Sequence, residues 1–276
     1  MIKIELKRAF LNKLFLLALG IGIAIMLYNI VFWVIPTYYE WQDIWAKYGS
    51  SKGVYPFSLY NTWIGGRGDT IQNVLYFYLI PIIACIPHAS SLLTDYQSNF
   101  ISQMVTRIDI KKYYFAKIIS VFISAGTVVI VPLLLNLLLT ACFFPTLIPE
   151  VTAGTFSILS TSMWSELFYR HPMIYVLLYL IIIFLFSGFF ALSSILLMYI
   201  APNKLLITIA PMVILLITDV LFQMMGDGIY QFSPLQIIKI NQATAINAEI
   251  VFAEIIFLAL FFIFFFSIRA RKDEVF

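Results

Sequence analysis

His88, Ser91 and Asp95 are the residues of this chain whose types and spacing best suit acid–base chemistry. Steps of three and four put them on one face of a helix. Placed there, they form a polar relay or a gate, or they are near-interface residues hydrated from one side or bonded to a neighbouring helix. Asp219 and Glu254 are the next candidates, because an acid inside an apolar run is costly and by default marks a path or a gate. For Glu254 a purely structural account also serves. With Glu249 it sits in the first turns of an apolar run, where the positive end of the helix dipole favours carboxylates, and Arg269, Arg271 and Lys272 complement the other end. Asn136 and Tyr28 are polar positions inside apolar runs and fit packing hydrogen bonds.

Several enzyme classes are excluded by motif. The only histidines are His88 and His171, and no His-Glu-x-x-His is present, so a zinc protease has no ligand set. No Gly-x-Ser-x-Gly turn or Ser-His-Asp set points to a serine hydrolase. The glycines of GGRGD, Gly65 to Asp69, are not a phosphate loop, since no Lys-Ser or Lys-Thr follows and no strand precedes. They form a plain turn. Cys85 and Cys142 lie in apolar runs and are small packing residues, with no metal site or disulfide framework around them.

The elements that must position these residues are membrane helices. Of the 276 residues 62% are hydrophobic and 11% charged, too little polar surface to cover a soluble fold. The basic excess of three is too small to argue for nucleic acid. The pattern predicts an all-α polytopic membrane protein forming a single transmembrane domain over residues 1–276, with no soluble domain. Six spans are expected, at about 14–35, 74–94, 118–144, 173–200, 205–222 and 250–268. The first follows a short basic interfacial helix, residues 1–13, and is a retained span rather than a signal peptide. Pro36 to Asn73 form an aromatic outer loop in which Trp41, Ile44, Trp45 and Tyr48 have the spacing of a helix lying flat in the interface. Pro132 is expected to kink the third span, and Ser187, Gly188, Ala191 and Ser194 should let another helix come close to the fourth. Gln223 to Glu249 is too apolar for a free loop, so part of it should re-enter the membrane before the sixth span. Twelve Lys and Arg fall on the predicted inner side and five on the longer outer segments, which places both termini in the cytosol.

The stretch Asp95 to Ser120 lies between the second and third spans. Phe100, Met104 and Ile108 recur at four-residue spacing with Ile101 and Val105 beside them, which predicts a short amphipathic helix on the cytosolic surface. Asp109 is then the N-cap of a helix that begins with Lys111 and Lys112 and runs into the bilayer.

In this order the features resemble the membrane subunit of a bacterial type-2 ABC exporter. The likeness rests on Asp95, the helix Phe100 to Val105, the basic turn Arg107 to Lys112 and Lys117. It extends to the surface helix before span one, the tight turn Pro202 to Lys204, and the outer segment before span six. The resemblance implies a permease subunit of an ATP-driven complex in the cell membrane, paired with a second identical or related permease. Its cytosolic coupling helix would dock on a separate nucleotide-binding ATPase subunit. ATP and Mg would be bound by that partner, and this chain would bind no cofactor or metal and catalyse no reaction. It further implies a coupling surface of Asp95, Gln97, Phe100, Gln103, Met104, Arg107 and Lys111. By the same resemblance the segment from Asp227 to Pro234 would help to close the exit, which adds Asp227 to His88, Asp219 and Glu254 as candidates for a pathway or gate. The long first outer loop departs from the family pattern.

The substrate implied is an amphipathic or hydrophobic compound: a peptide, an antibiotic or a lipid-linked molecule. Two other functions fit the same chain. One is an ion-coupled secondary transporter or channel, although no internal symmetry between halves is visible. The other is a membrane sensor or immunity protein that binds without transporting.

Overall fold

The computed structural model describes residues 1–48, 57–105, 109–150, 158, 161–241 and 245–273, which are helical with no strand among them. In chain order the helices are α1 (Ile2–Phe10), α2 (Lys13–Asn29), a π-helical turn (Ile30–Val34), α3 (Ile35–Tyr48), α4 (Leu59–Thr62), α5 (Ile71–Cys85), α6 (Ser91–Gln97), α7 (Phe100–Val105) and α8 (Ile110–Ala141). They continue with α9 (Ser165–Arg170), α10 (Pro172–Leu197), α11 (Lys204–Met225), α12 (Asp227–Tyr230), α13 (Pro234–Ile238) and α14 (Ala248–Asp273). Five stretches are long and apolar enough to cross a membrane: Lys13–Tyr48, α8, α10, α11 and Ala248–Arg271.

Two expected boundaries are corrected. Pro36 does not end the first long helix, and Trp41 to Tyr48 are not a separate helix lying flat. The chain stays helical from Lys13 to Tyr48 because it widens just before the proline: the Ile35 N–H bonds the Ile30 carbonyl, five residues back. A π turn of this kind accommodates the missing donor of Pro36 without breaking the helix. The expected second span, 74–94, is also divided. Helix α5 runs only from Ile71 to Cys85, turns occupy residues 86–90 around Pro87, and α6 starts afresh at Ser91. At 1.5 Å per residue, α5 alone covers about 22 Å, short of a hydrocarbon core of about 30 Å.

Local chemistry sets the other ends. The Asp109 carboxylate accepts the Lys111 N–H at 2.9 Å, and Asn203 accepts the Leu205 N–H at 2.9 Å, so α8 and α11 begin at side-chain caps. Asn12 caps α2 in the same way and donates to the Pro87 carbonyl at 3.2 Å, which fastens the α1–α2 elbow to the turn after α5. Between α6 and α7, Asn99 takes φ of +54°, a left-handed conformation that asparagine tolerates. This makes the hairpin corner.

Helix α8 is the spine of the bundle, packing against α1, α2, α5, α10 and α14. Ser187, Gly188, Ala191 and Ser194 are buried, and the contact with α10 is close: a Cβ on Gly188 would fall on the Phe122 ring, and one on Gly126 would fall on Phe184. At the opposite end from α1, the aromatic loop folds into the protein rather than over it. Asn136 of α8 accepts the Ile64 N–H at 3.0 Å and donates to Asn29 of α2, while Asn73 donates to the Ile64 carbonyl. Leu59, Trp63 and Ile64 are consequently buried. The following turn is held by the Arg67–Asp69 ion pair at 2.7 Å, with the Arg67 guanidinium 4.8 Å from the centre of the Trp33 ring. Leu235, Ile237, Ile238 and Ile240 are likewise buried, and Tyr175 of α10 donates to the Ile240 carbonyl at 2.8 Å.

Gly188→Ala is expected to destabilise the protein by about 1–3 kcal/mol, the usual cost of overpacking. Adding Phe122→Ala should recover part of that loss. Reversible unfolding in mixed micelles, read as a double-mutant cycle, checks it; additive effects would mean that Gly188 and Phe122 do not meet.

Candidate functional site

The polar side chains of the α1 end converge on Lys117. This lysine sits two turns into α8 with 1% of its side chain exposed, and burying an unpaired ammonium there would cost several kcal/mol. Two carboxylates come to it. Glu5 of α1 accepts from the Lys117 Nζ at 2.9 Å and Asp95 of α6 at 2.6 Å, and both acids are almost wholly buried. Arg8, one turn after Glu5, forks between the same acids: its guanidinium donates to Glu5 Oε1 at 2.7 Å and to Asp95 Oδ1 at 2.8 Å and Oδ2 at 3.3 Å. Tyr113, one turn before Lys117, donates its hydroxyl to Asp95 Oδ2 at 2.7 Å. His88 Nε2 lies 3.4 Å from Glu5 Oε2. Two acids and two permanent cations thus balance, and they tie together α1, the turn after α5, α6 and α8. The Arg8 guanidinium also lies 5.4 Å from the centre of the Phe100 ring, which adds α7 to the same joint.

These surroundings set the charge states. Burial pushes the Glu5 carboxyl up, but the His88 hydrogen bond and the Lys117 ammonium outweigh it and hold it well below the usual carboxylate range. Asp95 is treated alike: burial raises it, and Arg8, Lys117 and Tyr113 together bring it below its ordinary value. Arg8 is pushed up, mainly by its bond to Asp95. His88 can donate from Nε2 to Glu5, and its Nδ1 is buried with no hydrogen-bond partner among the described residues.

The expected trio is therefore rearranged. His88 does not lie on one continuous helix with Ser91 and Asp95, because the chain turns at residues 86–90 and α6 begins only at Ser91. His88 meets Glu5 and Asp95 meets Lys117, and since Lys117 also bonds Glu5 the two join one cluster from different elements. Of the residues expected on a coupling surface, Gln97, Gln103 and Lys111 are exposed, whereas Asp95 is buried and Phe100 is half-buried beneath Arg8. Asp95 is thus part of the joint beneath the hairpin. Arg107 lies outside the described residues, as do the side chains of Met104 and Asp227. Sequence reasoning named Glu5, Arg8 and Tyr113 for no role. The signal available was Lys117 itself: a cation inside an apolar run requires an acid from elsewhere, and Glu5 is the one acid of the N-terminal basic helix.

The remaining candidates stand apart from this cluster. Asp219 on α11 is buried and accepts from the Ser233 hydroxyl and, at 3.1 Å, from Gln236, which pins the short helices α12 and α13 back onto α11. Lys239 follows α13, with its ammonium 5.2 Å from the centre of the Tyr78 ring; burial lowers its pKa and the Asp219 charge partly offsets this. Glu254 on α14 keeps one carboxylate oxygen buried with no hydrogen-bond partner among the described residues. No group of three metal-binding side chains is placed to hold an ion among the described residues. The ion pairs around Lys117 link α6 directly to α1 and α8. Compared with protein-family models, characterised proteins and solved structures, the chain matches none.

Lys117→Met should cost about 3–5 kcal/mol, because Glu5 and Asp95 lose their shared cation while remaining buried, and Glu5→Gln added to it should restore part. Unfolding in mixed micelles measures both; a neutral Lys117→Met would show that the acids are solvated. Acid sensitivity has a defined sign. Glu5 and Asp95 have folded values below their unfolded ones, so each contributes stability above its unfolded value and loses it as pH falls. Stability should therefore decline below about pH 4.5 as the carboxylates take up protons, and Glu5→Gln should make that decline shallower.

Proposed function

We propose that this chain is the permease subunit of an ATP-driven export complex of the type-2 ABC class. The observation that carries the reading is the ion-paired joint at Lys117, which connects the α6–α7 hairpin to α1 and to the root of the α8 spine. A push on the exposed hairpin residues Gln97 and Gln103 reaches both helices without passing through a flexible loop.

On this reading α2, α5 with the turn beyond it, α8, α10, α11 and α14 are the six crossings, and both termini face the cytosol. Helix α1 lies along the inner surface, and the segment of α12 and α13 re-enters from the outer side. The hairpin is the coupling element for a nucleotide-binding ATPase subunit, which holds the ATP and Mg. A second permease, identical or related, completes the pathway in the bacterial cell membrane, and the substrate is an amphipathic or hydrophobic compound. Asp219, bonded to Ser233 and Gln236, sets the position of the outer segment that closes the exit.

A second reading, an ion-coupled transporter, is favoured by one feature: the Glu254 carboxylate oxygen that is buried without a hydrogen-bond partner among the described residues.

Purification of tagged protein from its native membrane in mild detergent should bring down an ATPase subunit. Gln103→Asp with Met104→Asp, which places charge on the hairpin tip, should release that subunit while membrane insertion stays intact. A preparation free of any ATPase, with transport that depends on a proton gradient and is lost in Glu254→Gln, would decide for the second reading.

A further inference from the structure

A groove of about 960 Å³ runs between α8, α10 and α14, large for a small-molecule site, where about 300–1,000 Å³ is usual. Its walls are hydrocarbon and aromatic: Phe122 of α8 faces Phe189 of α10, and Phe189 stacks on Phe262 of α14 with ring centres 5.9 Å apart and planes 10° from parallel. Phe115 and Ile263 along the groove are 60% and 64% exposed, so it stands open to whatever surrounds the bundle. Among its described lining residues the charged side chains sit at one end and are all basic: Lys111, Lys112 and Arg271 line the mouth at the root of α8. Asp109, two residues before Lys111, has its carboxylate on the Lys111 N–H as the helix cap, while the side chains of Asp273 and Glu274, which follow Arg271 in sequence, lie outside the described residues.

We propose that this groove holds an anionic glycerophospholipid, with its acyl chains against Phe122, Phe189 and Phe262 and its phosphate between Lys112 and Arg271. An apolar trough that ends in cations at headgroup level fits an amphiphile with a negative head, and basic pockets between membrane helices take anionic headgroups. A second copy of the chain fits less well. In an isologous contact the same patch meets itself, which would set Lys111, Lys112 and Arg271 against their own images. The proposal requires that the bundle cross a bilayer. It does not require an ATPase partner, so the two readings fail separately.

The test uses the full chain in nanodiscs of phosphatidylglycerol and phosphatidylcholine at equal amounts, with native mass spectrometry counting the lipid that stays bound on release. Phosphatidylglycerol should be retained in preference. Lys112→Gln with Arg271→Gln should reduce the preference about fivefold for each charge removed, and Ala259→Phe, which fills the groove and leaves the charges, should lower retention of the lipid itself. Equal retention of the two lipids by the unaltered protein, or a preference unchanged in either variant, would overturn the proposal. So would disulfide formation between copies through Ala259→Cys in a Cys142→Ser background, which would give the groove to a second copy.

Discussion

A charged lysine buried two turns into a long apolar helix is the constraint on which the α1 end of this protein depends. A buried ammonium requires anions within bonding distance, and α8 has no acid of its own to offer Lys117. One acid is brought by α1 and the other by α6, so the short helix before the first long one and the short helix after α5 must both dock at the same height on α8. Arg8 then neutralises what Lys117 leaves over. The result positions the hairpin by charge and hydrogen bonding together with the buried side chains of Leu92, Leu93 and Ile101.

The opposite end is held by different means. There the buried ties are donated by amides and hydroxyls, Asn136 to Asn29, the Ile64 N–H to Asn136, Tyr76 to the Val129 carbonyl, and Ser233 and Gln236 to the single carboxylate of Asp219, while the Arg67–Asp69 ion pair holds an exposed turn. Such bonds satisfy backbone groups that irregular segments would otherwise leave bare in an apolar setting. They explain how a long aromatic loop and two short helices can be buried without strands or disulfides among the described residues. The two ends are joined by α8, which runs unbroken past Pro132, with Gly22 of α2 lying against that proline.

Between the ends the bundle is uneven. Helix α10 buries most of its length, whereas α11 and α14 turn rows of large apolar side chains outward, among them Ile209, Ile217, Phe257, Leu260 and Phe264. In water such faces would aggregate, and in a bilayer they are the ordinary boundary with lipid or with another membrane helix. The groove between α8, α10 and α14 is where that boundary becomes a shaped recess, because small residues draw α8 and α10 together while α14 rests on their aromatic side chains.

Much of the architecture was legible in the residues alone. Hydropathy marked the long helices, Asp109 announced the cap of α8, and the Ser187 to Ser194 stripe foretold a close helix crossing. These are local properties, set by neighbours within a turn or two. The π turn that carries the helix past Pro36 and the break at residues 86–90 were not legible, since a proline in an apolar run has several accommodations and the surrounding packing selects one. The site was half legible: His88 and Asp95 stood out by spacing, and Lys117 by its company. That Glu5 is their partner could only be decided by the tertiary structure. It lies 112 residues from Lys117, and charge pairing between distant segments follows from which helix ends meet, which no local pattern records.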